Sequence, residues 1–261
     1  MNYPPILFLI SFLFLWPSIA EAKIQVKPIP YNHGEVSLEG IIAWDDTVKG
    51  KRPGVLVFHE WWGLNDYARS RAEQLAALGY VALAVDMYGK GKVTTHPEEA
   101  SQWMQQTTAN VKAWQAKARK GLELLQADPR VDPTRLAAIG YCFGGATVMQ
   151  LVYSGAPVKG VVSFHGSLPL PLPSQKITSS AKILVAHGEA DPFLTPEHIA
   201  DFKKSLDEAR LDWHMVVYGG AQHSFTNPSS NQYGVKGLQY QERADQRSWN
   251  HMKGFFEEIF Q

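Results

Sequence analysis

The chain has one cysteine, Cys142, and it stands in Gly140-Tyr141-Cys142-Phe143-Gly144-Gly145. Glycines two residues before and two after let the backbone turn sharply, lifting the side chain between them onto a tight elbow. The N-terminus of a following helix favours a thiolate and aims backbone N–H groups at a developing oxyanion. The chemistry this suggests is nucleophilic attack on an acyl carbon; the competing reading is a buried structural cysteine in a tight turn. A thiol nucleophile needs a proton acceptor, and the acceptor needs an orienting group. In hydrolases built on such an elbow the chain order is nucleophile, acid, histidine. Asp191 lies downstream in His187-Gly188-Glu189-Ala190-Asp191-Pro192, after the apolar run Ile183 to Ala186. His223 follows in Gly219-Gly220-Ala221-Gln222-His223-Ser224-Phe225, after a run ending at Tyr218. Glu189 is a rival acid and His223 is one of nine histidines. Order and placement after parallel strands single out Asp191 and His223.

His59-Glu60-Trp61-Trp62-Gly63 follows another apolar run, Gly54 to Phe58. It is not the HExxH zinc motif, which needs a second histidine where Gly63 stands. Its position suits the second backbone donor of an oxyanion hole, which comes from the loop after an early central strand. Hydrophobic packing of the tryptophans, with Glu60 a solvated loop acid, is the alternative.

These groups need a scaffold that brings strand ends together. Continuous apolar runs at Gly54–Phe58, Tyr80–Val85, Arg135–Ile139, Gly160–Phe164, Ile183–Ala186 and Trp213–Tyr218 predict strands, most of them buried on both faces. Ile24–Ile29 and Val36–Trp44 predict an early antiparallel pair. Helices are expected from an Asp66 N-cap to Leu78, through a periodic stretch from Ala100 to Leu125, and from the elbow to about Tyr153. Two more are expected over Pro196–Ala209 and from about Gln239 to Phe260. Strands alternating with helices predict a single α/β domain, a mainly parallel central sheet with helices on both faces. Leu168-Pro169-Leu170-Pro171-Leu172-Pro173 predicts an extended loop and is a candidate border of the substrate pocket.

Ile6 to Trp16 is apolar except for Ser11, too short for a bilayer span of about 20 residues but suited to a signal-peptide core. Ala20-Glu21-Ala22 fits a small-x-small cleavage pattern, giving residues 1–22 as a signal peptide and 23–261 as the domain, exported to periplasm or medium. No lysine or arginine precedes the run, which leaves a buried N-terminal helix or a permanent membrane anchor as the alternative. With 25 basic and 25 acidic residues among 261 the net charge is zero, which argues against a nucleic-acid partner. A single cysteine excludes an internal disulfide framework and zinc sites built on two or more thiolates.

The four motifs around Glu60, Cys142, Asp191 and His223 resemble the dienelactone hydrolase (carboxymethylenebutenolidase) family over most of the chain, from about Tyr31 to Phe260. The resemblance implies an α/β-hydrolase fold, with Cys142 as nucleophile, His223 as base and Asp191 orienting it. It also implies Glu60 hydrogen-bonded to a neutral resting thiol, and an oxyanion hole formed by the backbone N–H groups of Trp61 and Phe143. Family members acting on dienelactone hold its carboxylate with two arginines. The corresponding positions here carry Lys90 and Asn227, so the substrate-binding role passes to a point charge and a neutral amide.

The expectation is an exported hydrolase of carboxylic esters or lactones, acting on a small molecule without metal or organic cofactor. It has no stable membrane anchor after signal cleavage. The alternative from another class is a non-catalytic binding module on a retained fold; a redox-sensing thiol is weaker, because no resolving cysteine exists.

Overall fold

Alternation along the strands decides which helix covers which face. The computed structural model describes residues 22–173 and 175–261; the expected signal-peptide core lies outside the described residues. The described residues hold eight strands: β1 (Ile24–His33), β2 (Val36–Asp45), β3 (Arg52–Phe58), β4 (Val81–Val85), β5 (Val131–Tyr141), β6 (Gly160–Phe164), β7 (Lys182–Gly188) and β8 (Trp213–Tyr218). They form one sheet in the order β1-β2-β4-β3-β5-β6-β7-β8. The first two pairings, β1 with β2 and β2 with β4, are antiparallel, and every other pairing is parallel. The predicted α/β architecture is therefore observed.

The helices are α1 (Asp66–Ala77), α2 (Pro97–Thr108), α3 (Val111–Ala127), α4 (Phe143–Tyr153), α5 (Pro196–Glu208) and α6 (Glu242–Ile259). Val55 and Val57 of β3 belong to one buried cluster with Ala72 and Leu75 of α1 and Met252 and Phe256 of α6. Their neighbours Leu56 and Phe58 face the opposite way, into a core shared with Trp114 of α3, Val148 of α4 and Phe202 of α5. Successive side chains point to opposite faces, so one short run seals both layers. A third, small cluster of Trp62, Ala100 and Leu238 ties α2 to the loops above the sheet.

Three helix limits differ from the periodicity. The single stretch predicted from Ala100 to Leu125 is two helices, because the Asn110 side chain accepts from the Ala113 N–H and starts α3 afresh. A side-chain cap outweighs continuous apolar spacing there. Asn65, not Asp66, caps α1 by accepting from Ala68 N–H, and α6 begins at Glu242 rather than Gln239.

The elbow is the place where backbone geometry is most constrained. A Cβ on Gly140 would lie 2.0 Å from the Gly144 carbonyl oxygen, and one on Gly144 would lie 2.1 Å from that of Phe58. The start of α4 thus presses directly on the ends of β5 and β3, and only hydrogen fits. Gly144→Ala should destabilise the fold by about 3 kcal/mol, the upper end for overpacking. Urea unfolding that gives the variant wild-type stability would reject this account of the elbow.

Candidate active site

Cys142 joins the end of β5 to the start of α4 with φ 53° and ψ −113°, a backbone conformation unusual for a residue with a side chain. Such a conformation costs on the order of 1–3 kcal/mol and persists only when its surroundings hold it. Here the Cys142 N–H donates to the Phe164 carbonyl at 3.0 Å and to His165 Nδ1 at 3.2 Å. The side chain is half-buried and lines one cavity with His223, whose imidazole the sulfur influences.

His223 is held on both sides. Its N–H donates to the Gly237 carbonyl at 3.1 Å, and its own carbonyl accepts from Gln239 N–H at 3.0 Å. Its Nδ1 meets Asp191 Oδ2 at 2.7 Å, and Asp191 Oδ1 accepts from the Phe193 N–H at 2.9 Å. Glu189, the rival acid, instead accepts from Gly220 N–H at 3.2 Å on the surface. Burial by itself would push the His223 imidazole down. The Cys142 sulfur and the Asp191 carboxylate outweigh burial and raise it to about 10. Both partners thus favour the protonated form of His223.

Trp61 and Phe143 flank the sulfur, and neither backbone N–H has an acceptor among the described residues. The cavity at this point holds about 160 Å³ and is walled by Trp61, Met104, Phe143, Phe193 and Leu238, with Ser167 at its edge. Apart from His223, no charged side chain lines it.

Three expected roles change here. Glu60 is fully buried, but its carboxylate accepts from the Ser224 hydroxyl on one oxygen and from Asn227 Nδ2 at 2.5 Å on the other, not from the thiol. Burial raises its pKa, and the two hydrogen bonds only partly offset that. Asn227 is itself completely buried and spends its amide on Glu60, so it does not meet a substrate. Lys90 is exposed and paired with Glu39 at 2.8 Å, away from the cavity wall. The Pro-rich loop also behaves differently, since Leu170 to Pro173 border a separate depression against α5.

His165 belongs to none of the four motifs. It follows β6 with φ 40° and is fully buried. Because its Nδ1 accepts from Cys142 N–H, the ring proton sits on Nε2 and donates to Thr226 Oγ1 at 2.7 Å. Burial, reinforced by His223 and Arg71, drives its pKa well down, so it stays neutral under the nucleophile. Its signal was available: like His223 and Asp191 it stands just beyond a parallel strand.

Comparison with known proteins bears on this arrangement. The model of the dienelactone hydrolase family matches residues 38–260. The chain belongs to the dienelactone hydrolase family. A solved dienelactone hydrolase-like promiscuous phosphotriesterase from metagenomic libraries is 37% identical, with a TM-score of 0.88 over 91% of this chain and 99% of that one. The structure called m3DLH is 41% identical, with a TM-score of 0.87 and the same coverage of 91% and 99%. A candidate carboxymethylenebutenolidase of Saccharolobus solfataricus is 25% identical over 89% of this chain and 98% of its own length. Membership of this hydrolase family and the eight-stranded sheet agree with one another.

Proposed function

We propose that the protein is an exported hydrolase of uncharged carboxylic esters or lactones, with Cys142 as nucleophile and His223 and Asp191 as its partners. The observation that carries this reading is a strained elbow cysteine set against a histidine whose far nitrogen meets a buried carboxylate at 2.7 Å. The sulfur attacks the acyl carbon, and the carbonyl electron pair moves onto oxygen. That oxygen is held by the N–H groups of Trp61 and Phe143. As the tetrahedral species collapses, the leaving alkoxide takes the proton from His223. The neutral imidazole then removes a proton from water, the hydroxide attacks the thioester, and the sulfur leaves. Asp191 fixes the ring and offsets its positive charge throughout.

The restriction to uncharged substrates rests on the cavity, which no lysine or arginine lines and whose His223 imidazole is already engaged by Asp191 and the Cys142 sulfur. Burying an unpaired carboxylate costs several kcal/mol. A lactone bearing a free carboxylate should therefore be hydrolysed at least about 100-fold less efficiently than its methyl ester. Kinetics on such matched pairs, within a panel of nitrophenyl esters and small lactones, test this. Equal efficiency on both members of a pair rejects the uncharged-substrate reading. A neutral phosphotriester belongs in the same panel, since the 37% identical relative is a promiscuous phosphotriesterase and the cavity suits an uncharged electrophile. No turnover of any substrate, together with no covalent adduct at Cys142, would favour a binding module instead.

A further inference from the structure

His59 is completely buried just past the end of β3 and is not part of the cavity lining beside Cys142, yet both of its ring nitrogens are engaged. The Met87 backbone N–H reaches its Nε2 at 3.2 Å, and its Nδ1 meets the Glu60 carbonyl oxygen at 2.5 Å. A backbone N–H can only donate, so Nε2 is the acceptor. The ring proton is therefore on Nδ1 and is given to the Glu60 carbonyl. The same carbonyl accepts from the Gly63 N–H at 3.3 Å.

That carbonyl belongs to the peptide unit whose N–H is Trp61, and the described chain contains no cis peptide bond. In a trans unit the C=O and N–H point in opposite directions. Pinning the Glu60 oxygen toward His59 thus turns the Trp61 N–H the other way, and that N–H has no acceptor among the described residues. Trp61 lines the cavity beside Cys142 and Phe143. The ring itself is fixed by an edge contact to Tyr88, at 4.9 Å between centroids.

We infer that His59 is a positioning residue for hydrolysis, holding the Glu60–Trp61 peptide so that the Trp61 N–H faces the oxyanion. The inference rests on the proposed thiol mechanism. The hydrogen bonds run in one direction, from Met87 N–H through the imidazole to the Glu60 carbonyl. They polarise the peptide and make its N–H a better donor. Burial holds the ring neutral, so the relay persists through the working pH range.

The test compares His59→Asn with His59→Gln in the full-length protein. Asparagine can present an amide N–H where Nδ1 stands, whereas glutamine reaches only the Nε2 position. His59→Gln should lower kcat for a nitrophenyl ester on the order of 10- to 100-fold with KM little changed, as expected for a misdirected oxyanion donor. His59→Asn should recover most of that loss. Alkylation of Cys142 by iodoacetamide, which develops no oxyanion, should keep its wild-type rate in both variants. Equal losses in the two variants, or alkylation falling in step with hydrolysis, would mean a merely structural role and overturn the assignment. If the variants fail to fold, the wild type still decides: forming an aldehyde hemithioacetal on Cys142 should shift the Trp61 amide and His59 Nδ1–H resonances downfield together. A His59 proton that does not move overturns the inference. Wild-type protein with no Cys142-dependent turnover overturns the thiol mechanism as well, and so identifies which of the two readings failed.

Discussion

Under the proposed thiol mechanism, Cys142→Ala is expected to abolish ester turnover, lowering kcat by on the order of 10⁴-fold or more, because no other side chain at the elbow can form the acyl intermediate. Neither Trp61, Met104, Phe143, Phe193 nor Leu238 around the cavity is a nucleophile, and the Ser167 hydroxyl has no base assigned to it. The alanine fits the backbone as well as cysteine does, so the folded structure should survive. The variant also carries a spectroscopic consequence. The Cys142 sulfur is one of the groups that raise the His223 imidazole to about 10. Without it, burial gains weight against Asp191 and the His223 titration moves to lower pH. NMR titration of the ring measures that shift directly. Unchanged hydrolysis in Cys142→Ala would end the thiol mechanism, whatever the histidine does.

Asp191→Asn is expected to lower kcat on the order of 10³-fold while leaving KM within a few-fold of wild type. Asp191 Oδ2 is the partner of His223 Nδ1 at 2.7 Å, and both its oxygens are occupied within a buried site. An amide retains the shape, but it carries no charge to hold a proton on the imidazole and can offer a donor where an acceptor is needed. Removing the carboxylate takes away two of the influences that raise His223, so the alkaline limb of the kcat profile should move to lower pH. The stability consequence has a definite sign. A histidine raised above its unfolded value of 6.5 contributes stability that is fully present below that pH and is lost as pH rises toward about 10. Asp191→Asn should flatten that alkaline decline, which urea unfolding across the range would measure. A variant with wild-type kcat and an unmoved alkaline limb would show that Asp191 is not the orienting acid.

Neither of the two positions that the resemblance assigns to carboxylate binding lines the cavity. Asn227 lies inside the protein with its amide on Glu60, and Lys90 lies outside it with its charge on Glu39. The cavity lining contains no lysine or arginine, so the proposed mechanism leaves discrimination to size and to the cost of burying a charge.

Much of this was legible in the order of residues alone. Apolar runs and their spacing predicted the strands, and the only large error was the unbroken helix across Asn110. The elbow was legible because the tightest constraint on it is local: a Cβ on Gly140 would meet the carbonyl of Gly144, a few residues on. Asp191 and His223 could be chosen because strand alternation delivers every parallel strand end to one edge of the sheet, independently of packing detail.

Hydrogen-bond partners were another matter. Glu60 is joined to Ser224 and Asn227 across 164 and 167 positions of sequence, and His165 to Thr226 across 61. No periodicity encodes such meetings, since they depend on how loops at the sheet edge fold over one another. The amino-acid order alone determined which layers form, and that a thiol, an acid and an imidazole share one rim. Tertiary packing decided which buried carboxylate is engaged by which donor, because a polar group taken from water must bond whatever neighbour the fold brings within reach.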